Sequence, residues 1–319
     1  MQETLTKMEL KTKGREIVAR TRGSSHGPIT RLVSPSDLGQ AMKPFVFLDY
    51  FDTDPKRMPP IGFHPHSGIE TVTVVLEGQL SYRETAGTEG VIDEGGVEWM
   101  HAGGGVWHSG SAVGSARIKG YQLWIALSAE EENSVSEARY FDASRFRKEG
   151  PARIILGSYG RVASEVRAPE VVNYLSVALG KGEKWRYEPP SGHTVAWAAV
   201  HDGQLATPAI NIGELAVFEE SNAAIEFEAM ENTGFVIGSA VKHPHDLVLG
   251  AYSVHTSRQA LEKGEARITE IGKQYPFVRS CSSVPRTLKA APRVDPTAIR
   301  TGAPRMGVSM RKSRVPLNR

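Results

Sequence analysis

Residues 62–110 have the sequence GFHPHSGIETVTVVLEGQLSYRETAGTEGVIDEGGVEWMHAGGGVWHSG, which is the most informative part of the chain. The segment opens on His64 and His66 and closes on His108, just after a run of glycines. Between them, β-branched and apolar runs alternate with turn residues such as Glu77-Gly78-Gln79. Runs of this kind are typical of β-strands joined by hairpins. The segment therefore predicts a β-barrel with histidines at both ends of one motif.

The spacing of these histidines predicts a metal site. Successive side chains on a strand point to opposite faces, so His64 and His66 share a face if this piece is extended. Pro65 favours an extended conformation at His64. The same alternation places Glu70 on that face as well. Imidazole is a common metal ligand because it can be neutral near pH 7, and His108 on a neighbouring strand would complete a set of three.

Around these histidines the sequence resembles the pirin family of the cupin superfamily. The sequence segments of the motif that match the family are His64-Pro65-His66, Glu70-Thr71-Val72-Thr73, Leu76-Glu77-Gly78, Trp99-Met100, Ala102-Gly103, Gly105 and His108-Ser109. Outside the motif they are Arg31, Pro44-Phe45-Val46-Phe47-Leu48-Asp49-Tyr50-Phe51, Gln122-Leu123-Trp124-Ile125 and Arg153-Ile154-Ile155-Leu156-Gly157. The resemblance is specific over residues 27–127, thinner to residue 275, and does not extend to the end of the chain.

The resemblance implies an all-β fold of two cupin-type barrels, a bicupin, with few short helices. Residues 1–128 would form a barrel with a metal site, and residues 129–275 a second barrel without metal. The family carries iron or another divalent metal on three histidines and one glutamate, and the histidines carry over to His64, His66 and His108. Iron is the expected metal, although Mn, Ni, Cu, Co and Zn also accept imidazole ligands.

The chain departs from that family at two positions. The family's glutamate falls two residues after the last histidine, where this chain has Gly110, and His101 stands where threonine or serine is usual. A divalent ion on three neutral imidazoles keeps its full charge, so weaker binding and a less favoured ferric state are expected. Four outcomes stay open: Glu70 is the fourth ligand, His101 turns toward the metal, water fills the remaining positions of an open site, or the site has decayed to weak binding.

The resemblance implies functions of two different classes. The first is a metal-dependent dioxygenase of the quercetin 2,3-dioxygenase type, acting on a small aromatic, flavonol-like substrate gathered beside the metal. The three histidines would hold the metal, and Glu70 would be a ligand or a catalytic base. The second is a regulatory protein that senses metal or redox state and binds protein partners. A degenerate cupin with weak metal binding is the remaining alternative.

The second half repeats the pattern of strands and turns but not the motif. It lacks the H-x-H-x-x-x-E pattern in its expected place, so we expect no metal there. Lys242-His243-Pro244-His245 repeats the His-Pro-His word, but no further histidine is spaced to complete a site. Thr256-Ser257-Arg258-Gln259 has the form of a capping box and predicts a short helix over residues 257–263.

Composition indicates the fold class and the cellular compartment that we expect for the protein. The chain of 319 residues is long enough for two domains, and 32 glycines and 19 prolines suit a fold rich in turns. One cysteine, Cys281, excludes an intramolecular disulfide framework. No apolar run is long enough to span a bilayer, and residues 1–7 contain no apolar signal core. We therefore expect a cytoplasmic protein.

Charge is unevenly distributed along the chain. Residues 276–319 contain ten basic side chains and one acidic side chain, a net charge of +9. The remaining residues contain 28 basic and 35 acidic side chains, a net charge of −7. Scattered prolines and few large apolar residues predict that the basic tail is disordered. Such a tail could contact nucleic acid, a membrane surface or an acidic protein surface, or it could be a solvated extension that touches the acidic body.

Overall fold

The computed structural model describes residues 14–275, except residues 59, 86, 115, 169 and 170. The basic tail at residues 276–319, predicted to be disordered, lies outside the described residues. Within the described part of the chain, no helix is both long enough and apolar enough to cross a membrane.

The first half of the described chain is built almost entirely of strands. In chain order they are β1 (Ile17–Thr21), β2 (Ser24–His26), β3 (Ile29–Val33), β4 (Phe45–Thr53), β5 (Ile61–His66), β6 (Ile69–Glu77), β7 (Gln79–Glu84), β8 (Glu89–Ile92), β9 (Val97–His101), β10 (Val106–Val113), β11 (Ile118–Ala126) and β12 (Glu137–Phe141). A one-turn helix, α1 (Leu38–Ala41), precedes β4, and a 3₁₀ helix at Pro55–Arg57 precedes β5.

The second half has the same character until its last element. Its strands are β13 (Lys148–Glu149), β14 (Ala152–Leu156), β15 (Ser158–Tyr159), β16 (Val162–Ala163), β17 (Val172–Leu179), β18 (Lys184–Tyr187), β19 (Val195–Asp202), β20 (Gln204–Thr207), β21 (Ala209–Asn211), β22 (Leu215–Phe218), β23 (Ile225–Ala229), β24 (Thr233–Ala240), β25 (Val248–Leu249) and β26 (Val254–His255). A 3₁₀ helix at Ala143–Arg145 precedes β13, and the helix α2 (Arg258–Gln274) follows β26.

The strands form two barrels of matching design. The first has a seven-stranded sheet in the order β12-β9-β6-β11-β4-β3-β2 and a four-stranded sheet in the order β5-β10-β7-β8. The second has a seven-stranded sheet in the order β1-β22-β19-β24-β17-β14-β13 and a four-stranded sheet in the order β18-β23-β20-β21. The prediction of an all-β chain with two barrels is confirmed.

Each seven-stranded sheet includes one strand that lies outside the residue range predicted for its barrel. The early strand β1 pairs with β22 of the second barrel, and β12, which follows residue 128, pairs with β9 of the first. The domain limits at residues 128 and 275 stay a prediction. These pairings show that neither barrel could be cut out at residue 128 without losing an edge strand.

The two seven-stranded sheets pack against each other. A single buried apolar cluster contains Trp99 and Tyr121 from the first sheet and Tyr174 and Trp197 from the second. Strand β6 is buried on both faces: Val72 and Val74 lie in this shared cluster, whereas Val75 lies in the interior cluster of the first barrel. A strand that is buried on both faces needs no polar alternation.

Helix α2 is longer than its sequence predicted. The side chain of Ser257 caps it by accepting from the backbone N–H of Ala260 at 3.1 Å, so the start near residue 257 is confirmed. The helix continues to Gln274 because its buried positions, Leu261, Gly264, Ile268 and Gly272, recur at helical spacing. This face packs on the first barrel, where the carbonyl oxygen of Ile268 accepts a hydrogen bond from Trp107 Nε1 at 2.7 Å. The end of the second half therefore returns to the first barrel.

Candidate metal centre

The three histidines of the motif lie side by side on two paired strands. His64 and His66 are on β5 and His108 is on β10. The strands pair antiparallel, with His108 directly opposite His64 and Val106 opposite His66. Directly opposed residues share a face of a sheet, and so do residues two apart on one strand. The imidazoles therefore point to the same side of the four-stranded sheet.

Their ring nitrogens are close enough to share one ion. The candidate ligand atoms of the three residues all lie within 4.8 Å of one another. The Nε2 atoms of His66 and His108 are 3.1 Å apart. Two nitrogens that each lie about 2.1 Å from one metal ion are separated by about 3 Å at octahedral angles. The spacing of this pair therefore matches a shared metal ion.

Each imidazole is held at its other nitrogen by an oxygen. Nδ1 of His64 lies 2.9 Å from the carbonyl oxygen of Gly62, and Nδ1 of His66 lies 3.1 Å from that of Tyr252. Nδ1 of His108 lies 3.5 Å from Oε1 of Glu98. Carbonyl and ionised carboxylate oxygens only accept, so these partners favour a proton on all three Nδ1 atoms. The Nε2 lone pairs then face one another, which is the arrangement a metal ion requires.

Glu98 supplies a buried negative charge behind His108. Its side chain is 3% exposed, and Oε2 accepts a hydrogen bond from Thr73 Oγ1 at 2.7 Å. Tyr140 Oη lies 3.5 Å from Oε1 and can donate to it. Burial raises the pKa of this carboxyl, but the hydrogen bonds from His108 and Thr73 more than offset that effect, so the net shift is downward. Glu98 is therefore ionised at neutral pH.

Burial keeps two of the histidines neutral. It lowers the pKa of His64 to about 3, and the neighbouring His108 lowers it further. Burial also places the pKa of His66 well below its usual value, with His64 and His108 adding to the effect. Neutral imidazole is the form that binds metals, so these residues need lose no proton to accept an ion at pH 7.

The structure does not bring Glu70 to the histidines. Glu70 pairs with His101 across β6 and β9, whereas Thr73 pairs with Glu98 on the face that carries His108. Residues an odd number apart on a strand face opposite ways, so Glu70 faces the other barrel. There Trp99 Nε1 donates to Oε1 of Glu70 at 3.2 Å.

The expectation of a shared face for His66 and Glu70 is therefore wrong. It fails because β5 and β6 belong to different sheets, and Gly68, with a φ of 75°, turns the chain between them. The role of Glu70 as a ligand or catalytic base stays a prediction that this placement does not support.

His101 is also directed away from the histidine group. Its Nδ1 lies 3.8 Å from Glu70 Oε1, and its Nε2 is hydrogen-bonded to Ser134 Oγ at 2.7 Å. It shares the face of Glu70, so a rotation of its side chain alone would not carry it through the sheet.

Gly110 lies on the same strand as His108, opposite Tyr82 on β7. A Cβ at this position would lie 3.3 Å from the carbonyl oxygen of Ser81, with no second atom closer than 4.0 Å. This is a tight contact that a small adjustment would relieve. The backbone therefore tolerates a Cβ at the position where the family resemblance places a glutamate.

Sequence reasoning missed two residues of this centre. Glu98 could have been noticed as an acidic residue within the apolar strand Val97–His101, since a buried acid commonly marks a polar site. Tyr252 could not have been found, because its carbonyl oxygen reaches His66 across 186 residues of sequence and any residue type offers a carbonyl.

Within the described residues, His64, His66 and His108 are the one group with metal-binding geometry. The interior of the second barrel contains the packed aromatic side chains of Trp185, Phe227 and Phe235. The second His-Pro-His word lies against the first barrel, where His243 Nε2 is 3.0 Å from the carbonyl oxygen of Leu127.

Comparisons with known proteins agree with this fold. The family model described as Pirin matches residues 28–125. A pirin-like protein of Caulobacter vibrioides is 33% identical over 187 residues, which are 56% of this chain and 67% of that protein. A Pseudomonas aeruginosa protein whose name provisionally assigns it as a quercetin 2,3-dioxygenase is 29% identical over 255 residues, which are 74% of this chain and 88% of that protein.

A solved structure extends the match to both barrels. The crystal structure of a quercetin 2,3-dioxygenase from Acinetobacter baumannii superposes with a TM-score of 0.74 at 22% identity, covering 82% of this chain and 98% of that one. At this identity the match shows a shared fold. The family model and the Caulobacter relative lead to one conclusion: the chain belongs to the pirin family.

Proposed function

We propose that this chain binds one divalent metal ion through Nε2 of His64, His66 and His108 and acts as a metal-dependent dioxygenase on a small aromatic substrate of the flavonol type. The observation that carries the proposal is the set of Nδ1 partners. Three separate oxygens, on Gly62, Tyr252 and Glu98, favour the tautomer that presents an Nε2 lone pair to a common point. A surface cluster of histidines would have no reason to share this arrangement.

Iron is the metal that we propose. Imidazole ligands suit iron, and also Mn, Ni, Cu, Co and Zn, so metal analysis decides among them. Three protein ligands leave coordination positions open, as in other catalytic metal sites. When bound, the metal would polarise a coordinated oxygen and gather the reactants beside it.

Glu98 offsets part of the charge that Gly110 does not supply. A carboxylate that accepts from the Nδ1–H of a ligating histidine makes that ring a stronger ligand and fixes its orientation. Here Oε1 lies 3.5 Å from Nδ1 of His108, in a buried setting where charges interact more strongly than in water. The chain therefore places one negative charge behind a ligand, although Gly110 places none on the metal itself.

Two tyrosine side chains lie beside Glu98 in the first barrel. The rings of Tyr82 and Tyr140 stack with centroids 3.2 Å apart, and Tyr140 Oη reaches toward Glu98. Aromatic rings offer stacking and edge contacts to one another. The name of the Pseudomonas relative supports the flavonol class. The single cysteine supports a cytoplasmic, reducing location.

Metal content tests the first part of the proposal. We expect close to one metal ion per chain by mass spectrometry of the purified protein, and its loss in the double variant His64→Ala/His108→Ala. The variant His193→Ala, which removes a buried histidine of the second barrel, is the control and should keep its metal. A wild-type chain that stays metal-free after reconstitution with iron would overturn the proposal and indicate a decayed site.

Oxygen uptake tests the second part. We expect the iron-loaded protein to consume oxygen with at least one member of a panel of flavonols and catechols, and the double variant to consume none. Tightly bound metal without uptake across the panel would reject the dioxygenase. It would favour instead a metal- or redox-sensing protein that acts through protein partners.

A further inference from the structure

A short segment of the second half lies directly behind His66. The carbonyl oxygen of Tyr252 is the partner of His66 Nδ1, at 3.1 Å. The next residue, Ser253, forms an isolated parallel bridge with Ser67, and their hydroxyl oxygens lie 2.8 Å apart. The backbone N–H of Val254 donates to the carbonyl oxygen of Ser67 at 3.3 Å. Three consecutive residues of this segment, Tyr252 to Val254, therefore make hydrogen bonds to His66 and Ser67.

A chain of three buried, hydrogen-bonded side chains, Ser67, His255 and Glu132, holds that segment in place and is called the relay below. Ser67 Oγ lies 3.0 Å from Nε2 of His255, and Nδ1 of His255 lies 3.2 Å from Oε2 of Glu132. Glu132 also accepts from the backbone N–H of Thr256 at 2.6 Å and from its hydroxyl at 2.8 Å. Ser67, His255 and Glu132 are 0%, 1% and 3% exposed. The relay thus joins the β5–β6 junction, the β11–β12 connection of the first barrel and the end of the second half.

The order hydroxyl, imidazole, carboxylate is also that of a hydrolase triad, but this relay has no access to a substrate. Helix α2 covers it at Gly264, where a Cβ would lie 2.5 Å from Ser67 Oγ and 2.6 Å from His255 Nε2. The backbone of the helix therefore lies directly against both side chains. A nucleophile sealed in this way cannot meet a substrate, so its role is to hold structure in place.

We propose that Glu132, His255 and Ser67 are positioning residues of the metal centre: they hold the segment Tyr252–Thr256 against the first barrel so that His66 keeps its Nε2 directed at the metal. This inference rests on the proposed metal centre. Polar groups buried without partners cost free energy, so removing one member of the relay favours opening of the segment. Without the Tyr252 carbonyl, the imidazole of His66 could turn, and the ligand set would lose its alignment.

The test compares two histidines in matched settings. His255 and His193 are both buried, and each places a ring nitrogen about 3 Å from a serine hydroxyl, Ser67 and Ser239 respectively. Only His255 belongs to the relay. The variants His255→Gln, Glu132→Gln and His193→Gln of the full chain would be titrated with Co²⁺ against a competing chelator. The absorption spectrum of bound Co²⁺ reports the ligand geometry directly.

We expect His255→Gln and Glu132→Gln to bind Co²⁺ about 10- to 100-fold more weakly, the range typical of lost outer-shell partners, and to change its absorption bands. His193→Gln should be less stable than wild type but keep the wild-type affinity and spectrum. If neither relay variant can be obtained folded, Ser67→Ala removes the same hydrogen bond without touching the carboxylate and should change the spectrum in the same direction.

The outcomes separate this inference from the function on which it rests. A wild-type chain that binds no Co²⁺ overturns both. A wild-type chain that binds Co²⁺, with relay variants of equal affinity and spectrum, overturns only the positioning role. Equal weakening in His193→Gln would also overturn it, because the effect would then follow general loss of stability.

Discussion

Oε1 of Glu98 lies 3.5 Å from Nδ1 of His108, and the two residues come from different sheets of the first barrel. The contact joins β9 of the seven-stranded sheet to β10 of the four-stranded sheet across the barrel interior. It therefore connects the two sheets of the first barrel through a buried acid that faces His108.

Replacing Glu98 tests how far this charge supports the centre. We expect Glu98→Gln to weaken metal binding by about 10- to 100-fold, because a neutral amide is a poorer acceptor for the Nδ1–H of a ligating histidine. Competitive metal titration measures the change. Glu214→Gln is the matched control, since Glu214 is also a buried carboxyl with a lowered pKa but lies in the second barrel. Equal affinity in wild type and Glu98→Gln would contradict the role of Glu98.

Restoring a carboxylate at position 110 should have the opposite effect. We expect Gly110→Glu to tighten metal binding by about tenfold or more, equivalent to about 1.4 kcal/mol, because the new side chain starts on the strand of His108 where a Cβ meets only one close atom. Any oxygenase activity should rise as well. Gly110→Gln has the same bulk without the charge and should tighten binding less. If metal titration shows that Gly110→Glu binds the metal ion no more tightly than wild type, position 110 does not influence metal binding.

Gly264 should resist a substitution that normally favours a helix. Alanine is better than glycine within a helix by about 1 kcal/mol. At this position, however, the Cβ would lie 2.5 Å from Ser67 Oγ, and overpacking a buried site costs about 1–3 kcal/mol. We expect Gly264→Ala to lower the free energy of unfolding, measured in urea, and to weaken metal binding through displacement of Ser67.

The control for that variant is Thr269→Ala, an exposed position of the same helix, which should not destabilise the protein. A Gly264→Ala protein that is as stable as wild type and binds metal normally would show that the contact between α2 and Ser67 is loose.

Stability should depend on pH through His193. Burial lowers the pKa of His193 to about 4, with a further contribution from the nearby Arg15 guanidinium, whereas the unfolded chain has the ordinary value near 6.5. Between these values the unfolded state binds more protons than the folded state, so the free energy of unfolding falls as the pH falls from 6.5 toward 4. One such group contributes at most about 1.4 kcal/mol per pH unit.

The variant His193→Gln lacks this contribution. Its deficit in stability relative to wild type should therefore be larger at pH 7.5 than at pH 5, as measured by urea unfolding at the two values. A deficit that is the same at both pH values would mean that His193 keeps an ordinary pKa in the folded chain.

The predictions from sequence succeeded where local chemistry decides structure. The β-branched run of β6, the turn at Gly78 and the cap at Ser257 act through neighbours in the chain, so they could be recognised from the residues alone. The length of α2 was underestimated because its buried positions only acquire meaning once the first barrel covers them.

The placement of Glu70 failed for a similar reason. Alternation along a strand predicts a shared face only while the strand stays in one sheet, and the chain changes sheets between His66 and Ile69. Nothing in the residue pattern marks that change apart from Gly68, whose positive φ became evident only in the folded chain.

The sequence by itself determined that three histidines would share one face of two paired strands, since spacing on a strand fixes side-chain direction and the motif resembles that of the pirin family. Only the tertiary structure decided which acid and which carbonyl hold those histidines. Glu98 acts across two sheets, and Tyr252 acts across 186 residues through a backbone oxygen that every residue possesses. Such partners are chosen by how distant segments pack, and a linear pattern does not contain that information.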